Sequence, residues 1–157
     1  MREILFRGKT NKGEWVQGSL ILADNYCCIL EKEENLHPID VPYLNGEYGT
    51  FDGGATPIIP KTIGQYTGLT DKNGKKIFEG DICRFREWTN GDMCWIGKVY
   101  YEYQQFVISG NKNKECETPF TLAMSRFIPE NIEVIGNIHD NPELLKSEVT
   151  DNDRQRD

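Results

Sequence analysis

Short apolar-rich runs broken by polar and Gly- or Asn-containing steps recur along most of the chain, the pattern of short strands joined by turns. REILFRG (2–8) and EWVQGSLIL (14–22) are two such runs, joined by KTNKG. Gly13 supplies the positive φ that a short loop needs, so the pair predicts an opening β-hairpin. YCCILEKE (26–33) predicts a third strand after the Asp24–Asn25 step. From Asn35 to Pro60 this pattern dissolves, and four of the seven prolines fall there. That stretch predicts a long loop or a set of short edge strands, and a boundary between two subdomains.

The most patterned run is GQYTGLTDKNGKKIFEGDI (64–82). Gln65 to Leu69 predicts a strand, Asp71-Lys72-Asn73-Gly74 a turn and Lys75 to Phe85 a second strand. Asn73-Gly74 is a strong hairpin signal because both residues tolerate positive φ. Asp71 is placed to bond its own backbone as an Asx-turn. Strand alternation would put Phe78, Gly80 and Ile82 on one face, and Ile77, Glu79 and Asp81 on the other. Gly80 in mid-strand predicts a bulge or bend. The glycines thus read as architectural, since neither GxGxxG nor the P-loop pattern is present.

WIGKVYYEY (95–103) and QFVIS (105–109) predict a further hairpin. ECETPFTLAMSRF (115–127) reads either way, with Thr118 able to cap a short helix that has Pro119 at its first position. NIEVIGNIH (131–139) predicts the last strand, with Ile132, Val134, Gly136 and Ile138 on one face. Asn141 caps a terminal turn in NPELL, and residues 146–157 predict a disordered tail. The fold class is therefore mainly β: a small SH3-type barrel in the C-terminal part, an N-terminal β-hairpin subdomain, and one or two short helices. The divisions are 1–62, 63–145 and the tail 146–157.

A net charge of −7 over 157 residues changes the functional picture more than it changes the fold. Phosphate backbones attract proteins through Lys and Arg, so an acidic chain makes nucleic-acid binding an unfavoured alternative. From Arg84 to Arg126 six basic residues are offset by five acids, and no basic stripe emerges. Five cysteines, Cys27, Cys28, Cys83, Cys94 and Cys116, include no CxxC pair, so free thiols and no metal are expected. No apolar run approaches the roughly 18 residues of a membrane span. The N-terminal MREILFRGKTNK has no signal-peptide core, which gives a cytoplasmic, non-membrane expectation.

Candidate chemistry is sparse. Glu79 and Asp81 would lie about 7 Å apart on one strand face, a spacing open to acid–base or metal work but ordinary for a solvated face. His37 and His139 become a site only if the fold brings one beside a nucleophile or an acid. Trp88, Trp95, Tyr100, Tyr101 and Tyr103, with Phe106, form the densest aromatic run. They serve as core and rim packing, or as the candidate interaction surface. Asp71, Asn73, Gly74 and Gly80 are assigned a structural role in the turn. No residue is assigned as catalytic, cofactor-binding or metal-ligating.

MREILFRGK at the start, TIGQYTGLTDKNGKKIFEGDI (62–82) and EVIGNIHDNPELL (133–145) together resemble the YopX family of phage and prophage proteins, over roughly residues 1–145. The resemblance implies an SH3-type barrel in the C-terminal part and a phage-related origin, and it implies no activity. The functional expectation is a non-enzymatic accessory protein in the host bacterial cytoplasm that binds a protein partner or itself. A nucleic-acid-binding barrel is the alternative. A hydrolase or nuclease using Glu79, Asp81 and His139 ranks last.

Overall fold

The computed structural model describes residues 3–23, 26–31, 39–42, 48–51, 55–86, 94–110 and 120–145. These form thirteen strands: β1 (Phe6–Lys9), β2 (Trp15–Ala23), β3 (Tyr26–Leu30), β4 (Ile39–Pro42), β5 (Tyr48–Phe51), β6 (Ala55–Pro57), β7 (Gly64–Thr70), β8 (Lys76–Phe78), β9 (Asp81–Arg86), β10 (Cys94–Glu102), β11 (Gln105–Gly110), β12 (Phe120–Ala123) and β13 (Ile132–Asn137). The helical elements among the described residues are four 3-10 turns at Pro60–Thr62, Met124–Arg126, Pro129–Asn131 and Pro142–Leu145. Thr118 and Pro119, the predicted helix start, lie outside the described residues, as do residues 146–157. The described part of the ambiguous segment opens with β12.

Two antiparallel sheets organise the chain. One runs β6-β3-β2-β1-β7-β8, the other β12-β11-β10-β9-β13, and β4-β5 forms a separate ribbon. The closed barrel expected from residue 63 onward is not formed by either sheet. The reason is a pairing that spans the sequence: β7 aligns with β1, Phe6 opposite Gln65 and Arg7 opposite Gly64. The first half of the GQYTGLT hairpin thereby joins the N-terminal sheet, which draws strands from both sides of the 62/63 division.

Each sheet has its own core. Phe85, Trp95, Val99, Ile108, Ile132 and their neighbours fill the face of the five-stranded sheet, and Ile77 and Leu69 from the β7–β8 hairpin close over it. Cys27, Ile29 and Ile58 pack with Phe6, Val16 and Leu20 on one face of the N-terminal sheet. Cys28 points to the opposite face and packs with Ala55, Ile21, Tyr26 and Leu30, so adjacent cysteines sit in separate clusters, as strand alternation requires. Burial pushes both thiols up, Cys28 to about 11 with the neighbouring Cys27 adding to it.

The predicted strand Lys75–Phe85 is two strands. β8 ends at Phe78, and the chain turns through Glu79 and Gly80 (φ +83°) into β9 of the other sheet. Gly80 donates its N–H to the Val99 carbonyl, and its own carbonyl accepts from the Ile138 N–H, fixing the crossing point between β10 and the exit of β13. A positive φ is nearly free for glycine and strained for other residues. Period-two alternation fails across this turn, so Glu79 and Asp81 do not share an exposed face. Asp81 is buried and Glu79 is half-exposed.

Asp71 does more than close its turn. One carboxylate oxygen accepts from the Asn73 and Lys75 amides at 2.8 and 2.9 Å. The other accepts from the Val134 amide at 3.0 Å, tying the hairpin tip to β13. Gly74 completes the turn at φ +76°. β13 shifts register against β9 between Val134 and Gly136, one residue beyond that tie, so the alternation predicted through Ile138 breaks at Ile135.

The β10–β11 hairpin closes through Tyr103 and Gln104, both at positive φ (48° and 63°). This is the backbone demand of a type I′ turn, met here without Asn or Gly. Each residue carries left-handed strain, and the Gln104 side chain is exposed. Gln104→Gly is expected to raise the unfolding free energy by about 0.5–1 kcal/mol, against the usual sign for glycine next to a strand. Urea denaturation checks this; a destabilised variant would show that the turn is not strained.

Candidate functional site

Strand period places Arg7 and Lys9 on one face of β1, and the Lys9–Trp15 cross-strand pair adds Trp15 to it. That face is turned away from the Phe6–Val16 core and meets the β8–β9 turn and the end of β13. Arg7 is 8% exposed. Its guanidinium lies 2.6 Å from Asp81 and donates to the Glu79 carbonyl at 3.2 Å. Trp15 and Phe78 sandwich it at 4.8 and 5.0 Å from their ring centres. Asp81 also accepts from the Phe78 amide at 2.8 Å. Burial raises the Asp81 pKa, and it outweighs the opposing pull of the Arg7 charge and the Phe78 N–H.

Asp140 forms the second half of the seam. Lys9 pairs with one of its oxygens, while the Trp15 indole N–H and Asn137 Nδ2 donate to the other at 2.7 and 2.9 Å. These contacts, Lys9 foremost, hold the carboxyl well below the usual carboxylate range. His139 packs its ring against Trp15, with centroids 5.8 Å apart. Desolvation lowers its pKa first, then Arg7, Lys9 and Lys61, with Asp140 pulling the other way. Glu79 and His139 reach the same pocket, of about 150 Å³, which Lys61, Lys98 and Tyr100 also line.

The sequence-flagged residues therefore separate. Trp95 is buried in the core of the five-stranded sheet, 3% exposed, and is not at the surface. Tyr100 is half-buried, its hydroxyl 3.2 Å from that of Thr121. Tyr101 and Tyr103 are 52% and 85% exposed. Trp88 and His37 lie outside the described residues, as does Cys116. Asp81 is paired with Arg7 and does not line the pocket that Glu79 and His139 share. Among the described residues no group of three or more His, Cys, Asp and Glu is placed to hold a metal ion, and none of the helices is long and apolar enough to cross a membrane. Arg7, Trp15 and Asp140 were not singled out from the sequence. The available signal was an arginine and a tryptophan on one face of a hairpin.

Residues 5–146 match the model of the family described as YopX protein, and the chain belongs to that family. Among solved structures it is similar to protein EF1440 from Enterococcus faecalis, with a TM-score of 0.52 and 24% identity over 93% of this chain and 100% of that one. This likeness shows the shared fold. No curated protein matches the chain.

Two expectations follow from the seam. Asp81→Asn leaves the Arg7 guanidinium buried without a countercharge and should cost about 3 kcal/mol of unfolding free energy or more. The Arg7→Met/Asp81→Leu double variant should cost less than the sum of Arg7→Met and Asp81→Leu made singly in the same urea series. The second concerns pH. At Asp71 burial works to raise the pKa, but the three amide bonds and Lys75 carry it below the ordinary value; Asp140 is lowered as well. The stability these groups contribute is complete above the unfolded carboxylate pKa of about 3.9 and is lost as pH falls through their depressed folded values. Asp81, with its raised pKa, works in the opposite sense: its contribution declines as pH rises between its unfolded and folded values. The stability gap between wild type and Asp140→Asn should thus be widest above about pH 5 and close towards pH 2. A gap that does not change with pH would show that Asp140 is not ionised in this network.

Proposed function

We propose that the protein is a phage- or prophage-derived accessory protein of the host cytoplasm that works without enzymatic chemistry, by binding protein, in the first instance a second copy of itself. The observation that carries this reading is the tip of the β10–β11 hairpin. Its strained two-residue turn holds Tyr103 out in water beside the exposed Tyr101, whose ring is steadied edge-on by Phe106 at 5.1 Å. Rigid, amphipathic aromatic groups of this kind are the side chains that anchor protein interfaces. Backbone strain of this kind clusters at functional sites, held in place by the structure around it. The edge strand β12 offers main-chain donors and acceptors on the same sheet.

A non-enzymatic reading is supported by the use of the acids. Of the three groups weighed for hydrolysis, Asp81 is committed to Arg7 and to the Phe78 amide. An SH3-type arrangement in the C-terminal half is part of the same proposal, supported by the β7–β8 hairpin folding across the open five-stranded sheet. Nucleic-acid binding stays as a second reading because Lys98 lies 5.3 Å over the Tyr100 ring, with Arg84 and Arg86 exposed on the adjoining strand.

Apolar and main-chain contacts are nearly indifferent to salt, whereas phosphate contacts weaken steeply with it. Sedimentation velocity is expected to show concentration-dependent association that survives several hundred millimolar salt and is weakened at least severalfold in Tyr103→Ala. A monomer at every concentration, together with a short oligonucleotide bound with a steep salt dependence, would sink this reading and promote the second.

A further inference from the structure

The pocket beside the seam has a charge that runs against the rest of the molecule. Its wall brings together side chains from four separate parts of the fold. Lys61 comes from the Pro60–Thr62 turn, Glu79 from the β8–β9 turn, Lys98 from β10 and His139 from beyond β13. Two lysines against one glutamate leave a formal charge of +1 with His139 neutral, in a chain whose net charge is −7. Among the described residues the ion pairs use Arg7, Lys9, Lys72, Lys76 and Arg84, and neither Lys61 nor Lys98 takes part in one. The Glu79 carboxylate is turned towards the Tyr101 amide, 3.3 Å away. A volume of about 150 Å³ is that of a cavity able to take a benzene-sized molecule, enough for one tetrahedral oxyanion and a short substituent.

We propose that this pocket binds a small phosphate, either the free ion or the phosphate of a small monoester, with the Lys61 and Lys98 ammonium groups neutralising it and a His139 ring N–H donating to it. Lysine suits this role as a point charge with three rotatable donors. The cationic surroundings of His139 are Arg7, Lys9 and Lys61, with Asp140 opposing and the Trp15 ring against it. Neutral imidazole is favoured there while the pocket is empty, and an arriving dianion reverses part of that bias. A polymer backbone fits less well, because its further phosphates would be repelled by a chain whose net charge is −7.

The experiment is an NMR titration of the His139 imidazole in the full chain. Inorganic phosphate and glycerol 3-phosphate are the probes, and sodium chloride at matched ionic strength is the reference. The expected result is a saturable phosphate-dependent shift and a His139 pKa that rises on saturation, both lost in the Lys61→Met/Lys98→Met variant and kept in Lys12→Met, a lysine that does not line the pocket. Saturation by phosphate alone assigns the free ion; saturation by both probes assigns the monoester as well. Glu79→Gln keeps an acceptor for the Tyr101 amide while removing the repelling charge. It should tighten phosphate roughly fivefold, the scale of one partly screened charge at this range. A response equal to that of chloride, one unchanged in the double-lysine variant, or weaker binding in Glu79→Gln would overturn the proposal. Because none of these readouts depends on self-association, their failure leaves the interaction reading to stand or fall on sedimentation alone.

Discussion

A guanidinium taken out of water has to be answered by a charge and by hydrogen bonds, and the way Arg7 is answered sets the relation between the two sheets. Its ion-pair partner, Asp81, is the first residue of β9, and its carbonyl partner, Glu79, is in the turn just before it. Both ends of this arrangement lie on elements fixed by other contacts. Arg7 is held in the middle of the N-terminal sheet between β2 and β7, and Gly80 is hydrogen-bonded on both sides within the C-terminal half. Buried ion pairs add little net stability over an apolar core, but they tolerate few alternative geometries. In this chain the pair acts as a registration point between two sheets that each have a separate apolar core.

Aspartates do this fastening at three places, each by a different device. Asp71 uses backbone amides to pin the β7–β8 tip to β13. Asp81 uses a cation at the crossing between sheets. Asp140 uses a lysine and an indole N–H to hold the exit of β13 against β1 and β2. The acidic excess of the chain is thus partly structural, and a carboxylate tied up in this way has little capacity left for chemistry.

What the sequence made legible was local. The strand-like runs at 14–22 and 26–33 and the Asx-turn at Asp71 depend on neighbours a few positions away; the structure has strands at Trp15–Ala23 and Tyr26–Leu30, and the Asp71 turn bond is made. Arg7, Trp15 and Asp140 were invisible as a site because their partners are 74 to 131 positions distant. Glu79 and Asp81 were misread as one face because a single positive-φ glycine between them resets the strand period, and a sequence marks that position only as a possible bend. Barrel closure was misread for a related reason. Whether GQYTGLT pairs forwards or backwards is decided at the β1 edge, and hydrophobic pattern does not encode the choice of partner.

The Tyr103–Gln104 turn shows the same limit from the opposite side. Its flanking strands were plain from their apolar runs, yet nothing in the dipeptide signals two left-handed residues. The strands on either side impose the turn, since their pairing from Gly97–Gly110 to Glu102–Gln105 leaves only two residues to reverse direction. Tertiary pairing thus overrides local preference, and its cost falls on a residue whose side chain is almost wholly in water. For stability alone Asn-Gly would serve better at this position. That a large exposed tyrosine occupies it instead is the physical reason for proposing an interaction surface at this tip rather than at the buried tryptophan behind it.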